Sequence, residues 1–107
     1  MERPAEEELD RLIGRLRDPK YCSKYLSAAF RDSTGTFLVA LRNVARAQKG
    51  MSKLAAETGV NRENLYRALS ERGNPRLDTL WAVLKAIGLR VSLEPASAPP
   101  PPRPTLR

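Results

Sequence analysis

From Leu9 to Ile87 the apolar residues recur at intervals of three and four, and the runs they form are cut at Ser, Gly and Pro. Such spacing draws one apolar stripe along each of several helices and leaves almost nothing from which a sheet could be built. Short helices hold only when their stripes pack together. The expected fold is therefore all-α, a bundle of about five to six helices around one core.

Leu9, Leu12, Ile13 and Leu16 place a first helix over about residues 5 to 17, with Pro19 expected to stop it nearby. Tyr21, Tyr25, Leu26, Ala29 and Phe30 mark a second over about 20 to 31, followed by a break at Asp32, Ser33, Thr34 and Gly35. A third stripe runs through Phe37, Leu38, Leu41, Val44, Ala45 and Gln48, and Gly50 follows as a stop signal. Leu77, Leu80, Trp81, Leu84 and Ile87 give a last helix over about 77 to 87, closed by Gly88.

Between the third and last helices the pattern is more specific. Leu54, Ala55 and Thr58 mark the inner face of about residues 51 to 58, and Gly59 can take the left-handed conformation that ends a helix. Val60 can tuck into the core, and Asn61 is a good N-cap for a helix over about 62 to 72 that buries Leu65, Ala68 and Leu69. Gly73, Asn74 and Pro75 then break the chain. Helix, tight glycine turn and helix on a basic chain form the helix-turn-helix signature.

Residues 89 to 94 alternate with period two, Leu89, Val91 and Leu93 against Arg90, Ser92 and Glu94, and this reads as one short C-terminal strand. With no second strand in the chain, it either pairs with the same strand of another copy, making Leu89, Val91 and Leu93 a dimer interface, or lies extended on its own helices. From Pro95 the composition turns to proline, alanine and serine, six of the nine prolines falling in the last 13 residues, as expected of an extended, disordered tail. The organisation expected is thus an N-terminal amphipathic helix (1–18), a DNA-binding domain with its strand (19–94) and a proline-rich tail (95–107).

Composition removes several functions. A chain of 107 residues holds one small core, it has no histidine, and a lone Cys22 can build neither a zinc site nor an intrachain disulfide. No catalytic, cofactor or metal site is expected. Glu6, Glu7 and Glu8 fan around an exposed helix face, and Cys22 beside Lys20 and Lys24 lacks an imidazole base, so a packed thiol is the better reading. No apolar run is long enough to span a membrane and the first residues carry acids, so a cytoplasmic protein is expected.

The charge of +7 has an address. Residues 1 to 18 hold six acids and four arginines, whereas Arg42 to Arg76 carry eight bases and three acids, a net of plus five. A polyanion is the natural partner of such a segment. The N-terminal part of the second helix of a helix-turn-helix meets base edges in the major groove, which makes Asn61, Arg62, Glu63, Asn64 and Arg67 the candidate readers. Arginine can grip guanine with two hydrogen bonds, asparagine can do so for adenine, and glutamate can accept from cytosine. Ser52 and Lys53, with Lys49 and Arg46, fall where phosphate contacts hold register. Ordinary surface charge, with Glu63 and Arg67 as an i, i+4 pair, is the competing reading.

The run Asn43 to Ala47, then GMSKLAAETG (Gly50 to Gly59), NRENLYRALS (Asn61 to Ser70), GNPRLDTL (Gly73 to Leu80) and GLRVSLEP (Gly88 to Pro95) resembles the addiction-module antidote proteins, HigA-like antitoxins of type II toxin–antitoxin systems. The resemblance extends more loosely back to about Asp18. It implies a lambda-repressor-like helix-turn-helix fold, a small RelE-like toxin as partner, and repression of the shared operon; with the strand pairing above, the expectation is a homodimer on double-stranded DNA. The first helix lies outside the firm match. Its Leu9, Leu12, Ile13 and Leu16, beside an acidic run, are a candidate clamp for a basic toxin or, alternatively, a cap on the bundle core. A phage-type repressor without a toxin, and a protein-binding module that has lost DNA binding, are the other readings.

Overall fold

The computed structural model describes residues 4–96, and these form six helices: α1 (Pro4–Arg15), α2 (Pro19–Asp32), α3 (Thr34–Gln48), α4 (Met51–Thr58), α5 (Arg62–Ala68) and α6 (Leu77–Ala86). Pro95 and Ala96 are the last described residues of the region expected to be a tail, and the remainder, 97–107, lies outside them.

Pro19, expected to stop the first helix, is itself the first residue of the second. Asp18 caps α2, its carboxylate accepting from the Lys20 N–H at 3.0 Å, and proline at the first helical position loses nothing by lacking a donor. The break expected over Asp32 to Gly35 shrinks to Ser33. Its N–H donates to the Ala29 carbonyl at 3.2 Å to close α2, and its hydroxyl accepts from the Thr36 N–H at 3.0 Å to open α3. The Thr36 hydroxyl in turn donates to the Asp32 carboxylate at 2.7 Å. Helix can therefore resume at once, with one orphan carbonyl of α2 and one orphan N–H of α3 satisfied by the same residue.

The two long helices α2 and α3 pack on each other, α1 lies against α3, and α4 touches α3, α5 and α6. One core joins them, with Leu16, Cys22, Leu38, Leu41, Val44, Leu54, Leu65, Leu69 and Val83 each almost wholly buried. Asn43 donates to the Tyr25 hydroxyl at 3.0 Å across the α2–α3 contact, and Gln48 reaches from the end of α3 to the Leu16 carbonyl at 3.4 Å and the Cys22 sulfur at 3.3 Å.

Three expectations are corrected. The helix expected over 62 to 72 ends at Ala68: Leu69 leaves helical geometry to enter the core, the Ser70 hydroxyl bonds the Arg67 carbonyl at 2.7 Å, and the Gly73 N–H turns back to the Ser70 carbonyl. Leu77 and Trp81 do not join the core; they are 62% and 47% exposed, while Val83 is buried. At about 100° per residue, Leu80, Val83, Leu84 and Ile87 form the inward stripe, and Leu77 and Trp81 fall on its border. The strand expected over 89 to 94 is absent from the described residues. Leu89 packs on the core and Val91 lines a surface cavity of about 300 Å³ beside Leu26, Phe30, Phe37 and Leu84, whereas Leu93 is 91% exposed. Only Leu89 of the three alternating apolar residues packs on the core, and no second strand is present among the described residues to supply a ladder.

Candidate nucleic-acid interface

Two short helices, α4 and α5, are joined by Gly59, Val60 and Asn61. Gly59 has φ of +77°, a left-handed conformation that strains residues with a Cβ, so glycine allows the chain to turn there without cost. The Thr58 hydroxyl donates to the Leu54 carbonyl at 2.9 Å, and Val60 packs against the core. Asn61 has extended backbone geometry and its side-chain oxygen accepts from the Asn64 N–H at 2.8 Å, starting α5. With Leu54 and Leu65 fully buried beneath them, the outer faces of the two helices are held on a rigid support.

All seven residues expected at the interface are exposed: Ser52 and Lys53 on the first turn of α4, and Asn61, Arg62, Glu63, Asn64 and Arg67 at the cap and along α5. The last five are brought together on one short helix. Their side chains are not independent. Arg67 donates from Nη1 to Asn64 Oδ1 at 3.1 Å instead of pairing with Glu63, and the Arg62 guanidinium lies 5.8 Å from the centre of the Tyr66 ring. Lys49, expected among the phosphate-binding bases, is held in an ion pair with Glu57 at 3.1 Å. Arg46 remains exposed.

The residues expected to clamp a toxin divide by burial. Leu16 is fully buried and Leu12 packs against the core, whereas Ile13 is half-buried and Leu9 is 37% exposed. Beside Leu9, the acidic residues Glu7, Glu8 and Asp10 are exposed. The expected dimer residues divide likewise, Leu89 being half-buried and Val91 and Leu93 exposed.

Sequence reasoning missed the exposed α6 face, where Arg76 and Asp78 form an ion pair at 3.2 Å on either side of Leu77, next to Trp81. The hydrogen bond from Arg76 holds the Asp78 carboxyl below its usual range. Charged neighbours on both sides of Leu77 were the available signal that this first turn faces solvent. Cys22 is buried, its thiol donating to the Leu16 carbonyl at 2.8 Å, and burial pushes its pKa up. That is the opposite of what an activated thiol needs. No helix among the described residues is long and apolar enough to cross a membrane.

With this geometry in hand, comparison with known proteins is informative. A family model described as "Probable addiction module antidote protein" matches residues 9–95. The chain belongs to that family. Antidote membership points to a role in a toxin–antitoxin pair, and the match takes in α1 from Leu9 onward together with Leu16 just beyond it. A protein of Haemophilus influenzae, described only as uncharacterized, is 41% identical to this chain over 63 residues, which is 59% of this chain and 64% of that relative. No solved structure matches the chain significantly.

Proposed function

We propose that this antidote protein is a HigA-like antitoxin that neutralises a RelE-like toxin by direct binding, and represses its own operon through a lambda-repressor-like helix-turn-helix formed by α4 and α5. It acts in the cytoplasm, without catalysis or cofactor. The observation that carries the DNA reading is the outer face of α5. Five polar or charged side chains with base-reading chemistry lie exposed on a helix anchored by buried Leu65, inside a segment with a net charge of plus five. Lys53, Ser52 and Arg46 flank that face as phosphate contacts.

The chain works as a homodimer, presenting two copies of α5 about 34 Å apart to an inverted repeat. Toxin is held by the outer side of α1, where Leu9 and Ile13 adjoin exposed acids; Leu12 and Leu16 serve the core. A simple deletion of residues 1 to 18 is a poor test of this, because it would remove Leu16 from the core. Exchanging Leu9 and Ile13 together for serine should abolish co-purification with the toxin while the helical content is unchanged.

The deciding experiment is binding of the full chain to the DNA upstream of its own gene, with and without the co-expressed product of the adjacent gene. With about four phosphates neutralised, affinity should fall on the order of 100-fold between about 50 and 200 mM salt. A complex with the neighbouring product together with this salt response supports the whole reading. DNA binding with no complex would make the protein a plain repressor of the phage type. A complex with no DNA binding would make it a protein-binding module.

A further inference from the structure

Asparagine reads adenine by offering donor and acceptor to the same base edge, Nδ2 to N7 and Oδ1 to the N6 amino group. In this chain the acceptor of Asn64 is restricted, because one of the two Oδ1 lone pairs receives the Arg67 Nη1 hydrogen at 3.1 Å. The same contact has the reverse effect on Arg67. A guanidinium has five N–H donors, so one given to Asn64 leaves a fork free, and the bond fixes where that fork points. Because the partner is a neutral amide and not the carboxylate of Glu63, Arg67 is oriented without its charge being neutralised. Arg62, the other nearby guanidinium, is drawn instead over the Tyr66 ring.

We propose that Asn64 is a positioning residue that aims Arg67 at a guanine, so that the two side chains specify a single base pair and not two. The inference rests on the DNA-binding reading above and deepens it by naming the base. Asn64 contributes an acceptor only; its amide hydrogens are dispensable for the preference. The backbone N–H of residue 64, which Asn61 caps, is untouched by side-chain substitution, so the start of α5 survives the tests.

The experiment is selection of binding sites from a randomised DNA library by the full chain and by the variants Arg67→Ala, Asn64→Ala, Asn64→Asp and the Asn64→Ala, Arg67→Ala double. The unaltered chain should select guanine at one position of each half-site. Arg67→Ala should lose that preference by about 5- to 150-fold, the range expected for one bidentate contact. Asn64→Ala should lose preference at the same position, and the double variant should lose no more than Arg67→Ala alone. Asn64→Asp keeps the acceptor and should keep the guanine preference, even if its charge weakens binding to all sequences. The proposal is overturned if Asn64→Ala relaxes a different base pair, if it relaxes none, or if Asn64→Asp loses the preference as alanine does. Failure of the unaltered chain to select any sequence would instead overturn the DNA-binding reading itself.

Discussion

A Cβ added to Gly35 would sit 2.6 Å from the Glu71 carbonyl oxygen and 3.1 Å from Glu71 Cγ. The segment after α5 thus lies directly on the first turn of α3, and only a residue without a side chain lets it. In an isolated helix Gly35→Ala would be favourable by up to about 1 kcal/mol. Here overpacking against backbone should win, lowering stability by about 1–3 kcal/mol in urea denaturation. An increase in stability would show that the segment gives way easily. Cys22 offers a second test at this scale. Its thiol is protonated in both folded and unfolded chains below the ordinary value of 9.0, and above it the unfolded chain ionises first because burial raises the native pKa. Stability should therefore fall as pH rises beyond about 9, and Cys22→Ala should flatten that slope. At lower pH, labelling of the thiol by a disulfide reagent should keep pace with unfolding and not precede it. Neither the contact of Gly35 with Glu71 nor the bond from Gln48 to Cys22 could be read beforehand, since each joins residues far apart in the chain.

Among the elements, α4, the turn after it and the start of α5 were the most legible, because their marks are local, whereas the end of α5 was not. Gly59 requires no distant partner to turn, Asn61 caps the helix it precedes, and Leu54 and Leu65 each mark the buried side of their own helix. α6 was half legible. Its length was clear and the charges beside Leu77 marked its first turn as solvent-facing, but a tryptophan on the border of a stripe looks the same in sequence whether it is covered or bare, and here Leu77 and Trp81 are bare. Paired substitutions measure that difference. Leu65→Ala should cost about 2–5 kcal/mol by denaturant unfolding, whereas Leu77→Ala should stay within about 0.5 kcal/mol. A large loss at Leu77 would mean that another surface covers it in solution. The C-terminal segment misled because period two is shared by a strand and by any extended chain lying along a surface, and only a neighbouring strand distinguishes them.

For the whole molecule, the proposed homodimer asks which surface a second copy would occupy. Val91 and Leu93 stand out from the C-terminal segment, and Leu77 with Trp81 stands out from α6. Each apolar pair would gain by being covered. In sedimentation, the Val91→Asp, Leu93→Asp variant should run at the mass of one chain, 11.9 kDa, and the unaltered protein at twice that. A dimer that survives those changes but not Trp81→Asp would move the contact to α6. Charge at this scale was readable from counting alone, since the basic excess and the α4–α5 face fall in the same stretch of chain. The hydrogen bonds among the α5 side chains were not, as rotamers follow packing and not composition. The one-residue joint at Ser33, bolted by hydroxyls to both neighbours, has a mechanical meaning as well. It leaves no slack between the helices before it and those after it. If, as proposed, a toxin grips α1 and α5 meets DNA, the stiff α2–α3 pair lying between them makes the toxin a load on a short lever, its bulk set by how that pair is swung.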